Sequence, residues 1–205
     1  MTGATEEQAA PRGRRSTTGR ERILQAAAEL FAAQGFAATS TRDIAQRAGI
    51  RQPSLYAHFA LKSDILCELL VETLRPPFEY AAKLRDDAEL TARERLIRFL
   101  DFDIRGLFAG RRAVAVLSVL PEVRGEEFGE AHRLRRELRE LYGRLIGDVL
   151  EQAGKPVGED ALGSITAIAF TLVEGINLRR YEDPGLDADR TVRDTTAAIL
   201  RILEV

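Results

Sequence analysis

The 205-residue chain has one cysteine, two histidines, one methionine and no tryptophan. A single thiol excludes an internal disulfide framework and any multi-thiolate metal cluster, which points to a reducing cytoplasm. Two histidines, with no HExxH, GxSxG or glycine-rich phosphate loop, leave little for catalysis. No catalytic, cofactor-binding or metal-ligating set is assigned, and a helical enzyme stands only as a remote alternative. No run of about 18 apolar residues is present, so no membrane span is expected. The N-terminal stretch lacks the apolar segment of a secretory signal. Strand-like alternation and short repeats are missing as well.

What is present is helix-forming and unevenly charged. Hydrophobic residues make up 45%, enough for a real core. The net charge of −2 hides an asymmetry. Residues 1–62 hold nine basic and five acidic side chains, while 63–205 hold 21 and 27. A basic first third on an acidic remainder suggests a polyanion-facing module joined to a body with another task. Residues 1–19 show no periodicity and read as a disordered basic tail, in which Pro11–Arg15 (PRGRR) fit either a solvated charge run or an arm touching a nucleic-acid backbone.

From Arg20 onward the apolar spacing is helical. Ile23, Leu24, Ala27, Leu30 and Phe31 form one stripe, ended by Gly35. A capping box, Ser40-Thr-Arg-Asp43, starts a second helix that Gly49 closes. A third is expected over Pro53–Phe59. A fourth carries Ile65, Leu66, Leu69, Leu70 and Leu74 and is expected to stop before Pro76-Pro77. Amphipathic stretches follow at 79–88, 91–109, 111–120, 126–154, 159–181 and 187–204. The fold class is therefore all-α.

The most informative segment is "TRDIAQRAGIRQPSLYAHFALK", residues 41 to 62. Two short helices around Gly49 have the size of a helix-turn-helix, whose second helix enters the DNA major groove. Ile44, Ala45, Ala48, Ile50, Leu55 and Phe59 suit the inner side. That leaves Arg51, Gln52, Ser54, Tyr56 and His58 outside, where Arg suits guanine and Gln suits adenine. Lys62, at the start of the fourth helix, suits a phosphate. A small bundle with a merely solvated polar face fits the same pattern.

"GFAATSTRDIAQRAGIRQPSLYAHFALKSDIL" resembles the N-terminal domain of the TetR family of bacterial transcriptional regulators. Gly35-Phe36, Thr39-Ser40, Arg42, Ile44-Ala45, Ala48-Gly49, Leu55-Tyr56, Phe59 and Lys62 stand at the family's spacing. The resemblance covers about residues 20–70. It implies a helix-turn-helix DNA-binding domain over 20–62 and a larger helical ligand-binding and dimerisation domain over 63–205, joined by a linking helix. It implies a ligand-responsive regulator, usually a repressor, that binds a palindromic operator in double-stranded DNA as a homodimer and leaves it when a small molecule binds. The DNA-facing set becomes Thr39, Ser40, Arg42, Arg51, Gln52, Pro53, Ser54, Tyr56, His58 and Lys62. Two departures stand out. Arg51 replaces a capping Ser, and Ala60-Leu61 replaces Pro followed by Ser or Asn.

For the body, the expectations come from pattern. Residues 161–181 are apolar over more than one face, which suits a dimer contact through Ile165, Ile168, Leu172 and Gly175 with Val192, Ala198, Ile199 and Ile202. A core helix of the monomer fits the same residues. An effector pocket is expected from Phe78, Phe99, Phe102, Phe108, Leu117, Leu120 and Tyr142, with Asp103, Arg105, His132, Glu174 and Asn177 orienting an elongated hydrophobic ligand, although plain core packing fits the apolar residues and interhelical hydrogen bonds fit the polar ones. Ligand-driven movement of the 91–109 helix would push on the fourth helix, uncoupled from the body at Pro76-Pro77. A redox-responsive regulator acting through Cys67 is the alternative.

Overall fold

The computed structural model describes residues 18–109 and 121–204. Among them are eight α-helices: α1 (Gly19–Gln34), α2 (Thr41–Arg47), α3 (Gln52–Tyr56), α4 (Lys62–Arg85), α5 (Ala92–Phe108), α6 (Gly129–Gln152), α7 (Glu159–Glu182) and α8 (Ala188–Leu203). Two 3₁₀ turns, Pro121–Arg124 and Glu126–Phe128, lead into α6, and no strand occurs among the described residues. The stretch expected to be helical at 111–120 and the basic tail through residue 17 lie outside the described residues.

Local chemistry accounts for the starts and stops. Thr18, Ser40 and Thr91 each cap a helix reciprocally with the acidic residue three positions on, Glu21, Asp43 and Glu94. At the end of α2, Gly49 takes φ 66°. Its N–H donates to Gln46, and that of Ile50 donates to Ala45. Those paired bonds close the helix and start the turn.

α3 is shorter than the spacing suggested: it ends at Tyr56, so His58 and Phe59 lie beyond it. α4 departs further. It runs unbroken through Pro76 and Pro77 to Arg85, absorbing the expected 79–88 helix. Each proline forfeits a bond to the carbonyl four residues back. The loss is tolerated because Pro77 is buried and Ala81 and Leu84, beyond it, pack into the body. Pro76-Pro77 therefore does not uncouple α4 from the body.

Two cores result. The first joins Ile23, Leu24, Phe31, Ile44 and Leu55 of the small module to Leu66 of α4 and to Val123, Phe128, Ala131 and Leu134. The second is built around Leu96, Phe99, Leu100, Tyr142, Ile146 and Ile176. Leu74 and Phe78 of α4 pack against both, so α4 and the start of α6 tie the reading module to the body. By length and composition α7 would suffice to cross a membrane, with a mean hydropathy of 1.5 over 18 residues. Its Ala169, Phe170, Val173 and Ile176 instead pack into the second core.

Candidate nucleic-acid interface and effector cavity

Leu55 and Phe59 are buried on one side of α3 and its exit, fixing which side chains remain outside. Arg42, Arg51, Gln52, Pro53 and Ser54 are exposed, and Tyr56 is 49% exposed despite its ring. Ser40 is exposed at the α2 cap, where its hydroxyl donates to Asp43 and accepts the Asp43 N–H. Arg51 precedes α3 and makes no side-chain cap, so its guanidinium stays available. Thr41 organises this face, and sequence reasoning missed it. Its Oγ1 lies 3.1 Å from the Tyr56 hydroxyl and accepts from Gln52 Nε2 at 3.3 Å. Its position at the first turn of α2 was the available signal.

Two DNA-facing expectations need correction. Thr39 is 1% exposed, and its hydroxyl donates to the Gly35 carbonyl at 2.8 Å, so it braces the α1–α2 turn. Lys62 Nζ donates to the carbonyls of Phe36 and Thr39, each at 2.6 Å, which turns the ammonium inward and away from a phosphate role. Burial pushes its pKa down. His58 stays exposed beyond the end of α3, beside the start of α1, where a Cβ on Gly19 would lie 3.1 Å from Nε2. At α4 the missing Ser or Asn leaves half a cap: Asp64 accepts the Leu61 N–H at 2.8 Å.

In the body, a cavity of about 390 Å³ opens between α4, α5, α6 and α7. Asp103, His132, Glu174 and Asn177 line it. Leu70, Thr73 and Leu74 of α4 and Arg135 of α6 also line it, none of them anticipated. Asp103 is 5% exposed and accepts from the Tyr142 hydroxyl at 2.5 Å. Burial, then the Asp103 carboxylate, pushes the Tyr142 pKa well above the usual tyrosine range. His132 Nε2 lies 2.7 Å from the Val123 carbonyl. Arg135 and Glu174 form a two-bond ion pair, with Nε to Oε1 at 2.6 Å, which raises the Arg135 pKa. Sequence gave no hint of that pairing across 39 positions.

The aromatic lining does not hold. Phe99 and Tyr142 pack edge-to-face at 5.1 Å within the second core. Phe102 stacks on Tyr80 at 4.1 Å. Phe108 lies under the Arg180 guanidinium at 4.8 Å, and Phe78 lines a separate cavity of about 300 Å³. Arg105 is exposed and paired with Asp101 and Asp189, outside the cavity. Leu117 and Leu120 lie outside the described residues.

The expected dimer set divides likewise. On α7, Ile168 is 51% and Leu172 40% exposed, Gly175 is exposed, and Ile165 is half-buried. On α8, Ile202 is exposed and Ala198 half-buried, but Val192 and Ile199 are buried within their own chain. A helix stripe facing inward cannot also serve a partner, which removes those two. Cys67 is half-buried against the first core. Burial, with Glu130, Asp64 and Glu127 nearby, pushes its thiol pKa up, the reverse of what an activated thiolate needs. The redox reading is therefore dropped.

Comparison with known proteins agrees with this architecture. Residues 23–69 match the family described as bacterial regulatory proteins, tetR family. The HTH-type transcriptional repressor KstR2 of Rhodococcus jostii is 35% identical over 127 residues, which is 60% of this chain and 61% of that protein. The crystal structure of AmtR from Mycobacterium smegmatis is 38% identical with a TM-score of 0.79, covering 96% of this chain and 90% of that one. PfmR, a TetR family transcriptional regulator from Thermus thermophilus, superposes at a TM-score of 0.71 with 26% identity, covering 88% and 97%. The match thus spans less than two thirds of KstR2 but nearly all of AmtR, and the chain belongs to the TetR family of bacterial regulatory proteins.

Proposed function

We propose that the protein is a cytoplasmic transcriptional repressor that binds a palindromic DNA site as a homodimer and releases it when a small molecule enters the cavity beside α4. The observation that carries the reading is the exposed face of α2 and α3. Arg42, Arg51, Gln52 and Ser54 stand outside a helix pinned by fully buried Leu55, and Thr41 holds Gln52 and Tyr56. Such a face offers bidentate donors for base edges and hydroxyls for phosphates. KstR2 is a repressor by name, which favours repression here.

Dimerisation follows from the reading geometry, because one short helix reads few base pairs and paired half-sites multiply affinity. The exposed Ile168 and Leu172 provide the apolar face for it. Coupling follows from the shared wall. Leu70, Thr73 and Leu74 of α4 line the cavity, and the first residue of α4, Lys62, anchors the reading module. An occupant that fits one α4 position better than the other shifts the DNA-competent population by that difference.

The test is a selection of DNA sequences by the purified full chain, followed by a salt titration. A palindromic consensus whose affinity falls steeply with salt is the expected result. Failure to enrich any sequence above non-specific binding refutes the proposal.

A further inference from the structure

The inner cavity and an outer groove of about 520 Å³ on the α6–α7 surface share four residues: His132, Arg135, Phe170 and Glu174. These four stand between the two spaces, with the Arg135–Glu174 ion pair among them. On its outer side stand Arg136 and Arg139, both exposed, with no acidic partner among the described residues. On its inner side the lining includes Leu70, Leu74, Leu107, Leu138 and Val173, with Asp103 beyond.

We propose that these are the two halves of one ligand site for an amphipathic anion, with its apolar body in the cavity and its carboxylate or phosphate on Arg135, Arg136 and Arg139. The proposal deepens the effector reading above and rests on it. Orientation follows from charge. Asp103 in the inner wall repels an anion, and its satisfied bond from Tyr142 asks nothing of an apolar tail. Three guanidinium groups outside attract the head.

Opening the partition is inexpensive. The Arg135 and Glu174 side chains are 40% and 30% exposed, so the pair is already partly solvated. A ligand anion takes the place of Glu174 on Arg135 and leaves that carboxylate to solvent, a cost offset by the added pairs to Arg136 and Arg139. Phe170, whose ring centroid lies 6.0 Å from the Arg135 guanidinium, holds that group in place during the exchange. His132 is tied to the Val123 carbonyl through Nε2, so the ring shapes the wall rather than holding the anion.

The test is calorimetric titration of the full chain with octanoate, octyl phosphate and octylammonium, which share a tail and differ in head group. Binding of either anion but not of octylammonium is expected, and the anion preferred identifies carboxylate or phosphate. Arg136→Ala with Arg139→Ala should weaken that anion about tenfold. Glu174→Gln should tighten it, because the competing carboxylate is gone, whereas simple damage to the wall would weaken it. Octylammonium binding as tightly as the anions, no binding of either anion, or weaker anion binding by Glu174→Gln overturns the proposal. Affinity for the selected DNA is measured alongside. Anion binding that leaves DNA affinity unchanged supports the site and refutes its coupling to DNA.

Discussion

Lys62 Nζ lies 2.6 Å from the carbonyl oxygen of Phe36 and 4.3 Å from the centre of its ring. One ammonium therefore ties the start of α4 to the loop between α1 and α2, with the Thr39 carbonyl as a second acceptor. Lys62→Met should destabilise the chain by about 1–3 kcal/mol, the cost of leaving part-buried carbonyls unpaired. It should also leave the salt dependence of DNA binding almost unchanged. Loss of a phosphate contact would instead reduce the slope of log K against log salt by about 0.9. Urea unfolding and a salt titration of the same variant separate the two roles.

Thr41 decides how Gln52 is presented. With Oγ1 accepting from Gln52 Nε2 and lying beside the Tyr56 hydroxyl, half-buried Thr41 and the exposed Gln52 and Tyr56 are held as one unit. Gln52→Ala should cost about 1–3 kcal/mol on the preferred sequence and relax one base position per half-site. Thr41→Ala should relax the same position while retaining part of the affinity, and Thr41→Ser should restore it. Parallel DNA selections with the three variants check this, and an unchanged consensus for Thr41→Ala would count against the coupling.

The exposed stripe on α7 predicts a dissociation phenotype. Ile168 and Leu172 lie one helical turn apart, both exposed and outside the two cores. Replacing both with Glu should give a folded monomer by sedimentation, because neither side chain supports the core. Its affinity for a palindromic site should fall to that of a half-site. By contrast, Ile199→Ala should lower stability and leave the dimer intact, since Ile199 is 1% exposed within the monomer.

The reading module was legible because its determinants are local. The Ser40–Asp43 box, Gly49 in the turn and buried Leu55 each act within a few positions of chain. The α4 boundary was not legible, because Pro76 and Pro77 break a helix by local rules and only tertiary packing at Ala81 and Leu84 overrules them. The cavity was half legible. Polar residues on apolar helices marked Asp103, His132, Glu174 and Asn177. Aromatics were misleading, because Phe99 and Tyr142 satisfy each other in the core. Thr39 and Lys62 sit where sequence places DNA contacts, and only the fold shows that their polar atoms are spent on backbone carbonyls.

Tyr142 links the second core to the wall of the cavity and makes stability sensitive to alkali. Its folded pKa lies well above the ordinary value, through burial first and the adjacent Asp103 carboxylate second. In the unfolded chain it ionises near about pH 10. Above that pH the folded state holds a proton that the unfolded state has lost, so stability falls as pH rises. Below it the contribution is fully present. Lys62, lowered by burial, acts with the opposite sign, and comparing two proteins that both carry it removes its effect. Tyr142→Phe should therefore be less stable than the parent at pH 8, by about 1–3 kcal/mol for the lost donor to buried Asp103. Its stability should then decline less steeply between about pH 10 and 11, by the slope of one proton. Urea unfolding at a series of pH values measures both. Parallel slopes for the two proteins would show that Tyr142 ionises in the folded state as readily as in the unfolded chain, and that the Asp103 pairing is not what holds its proton.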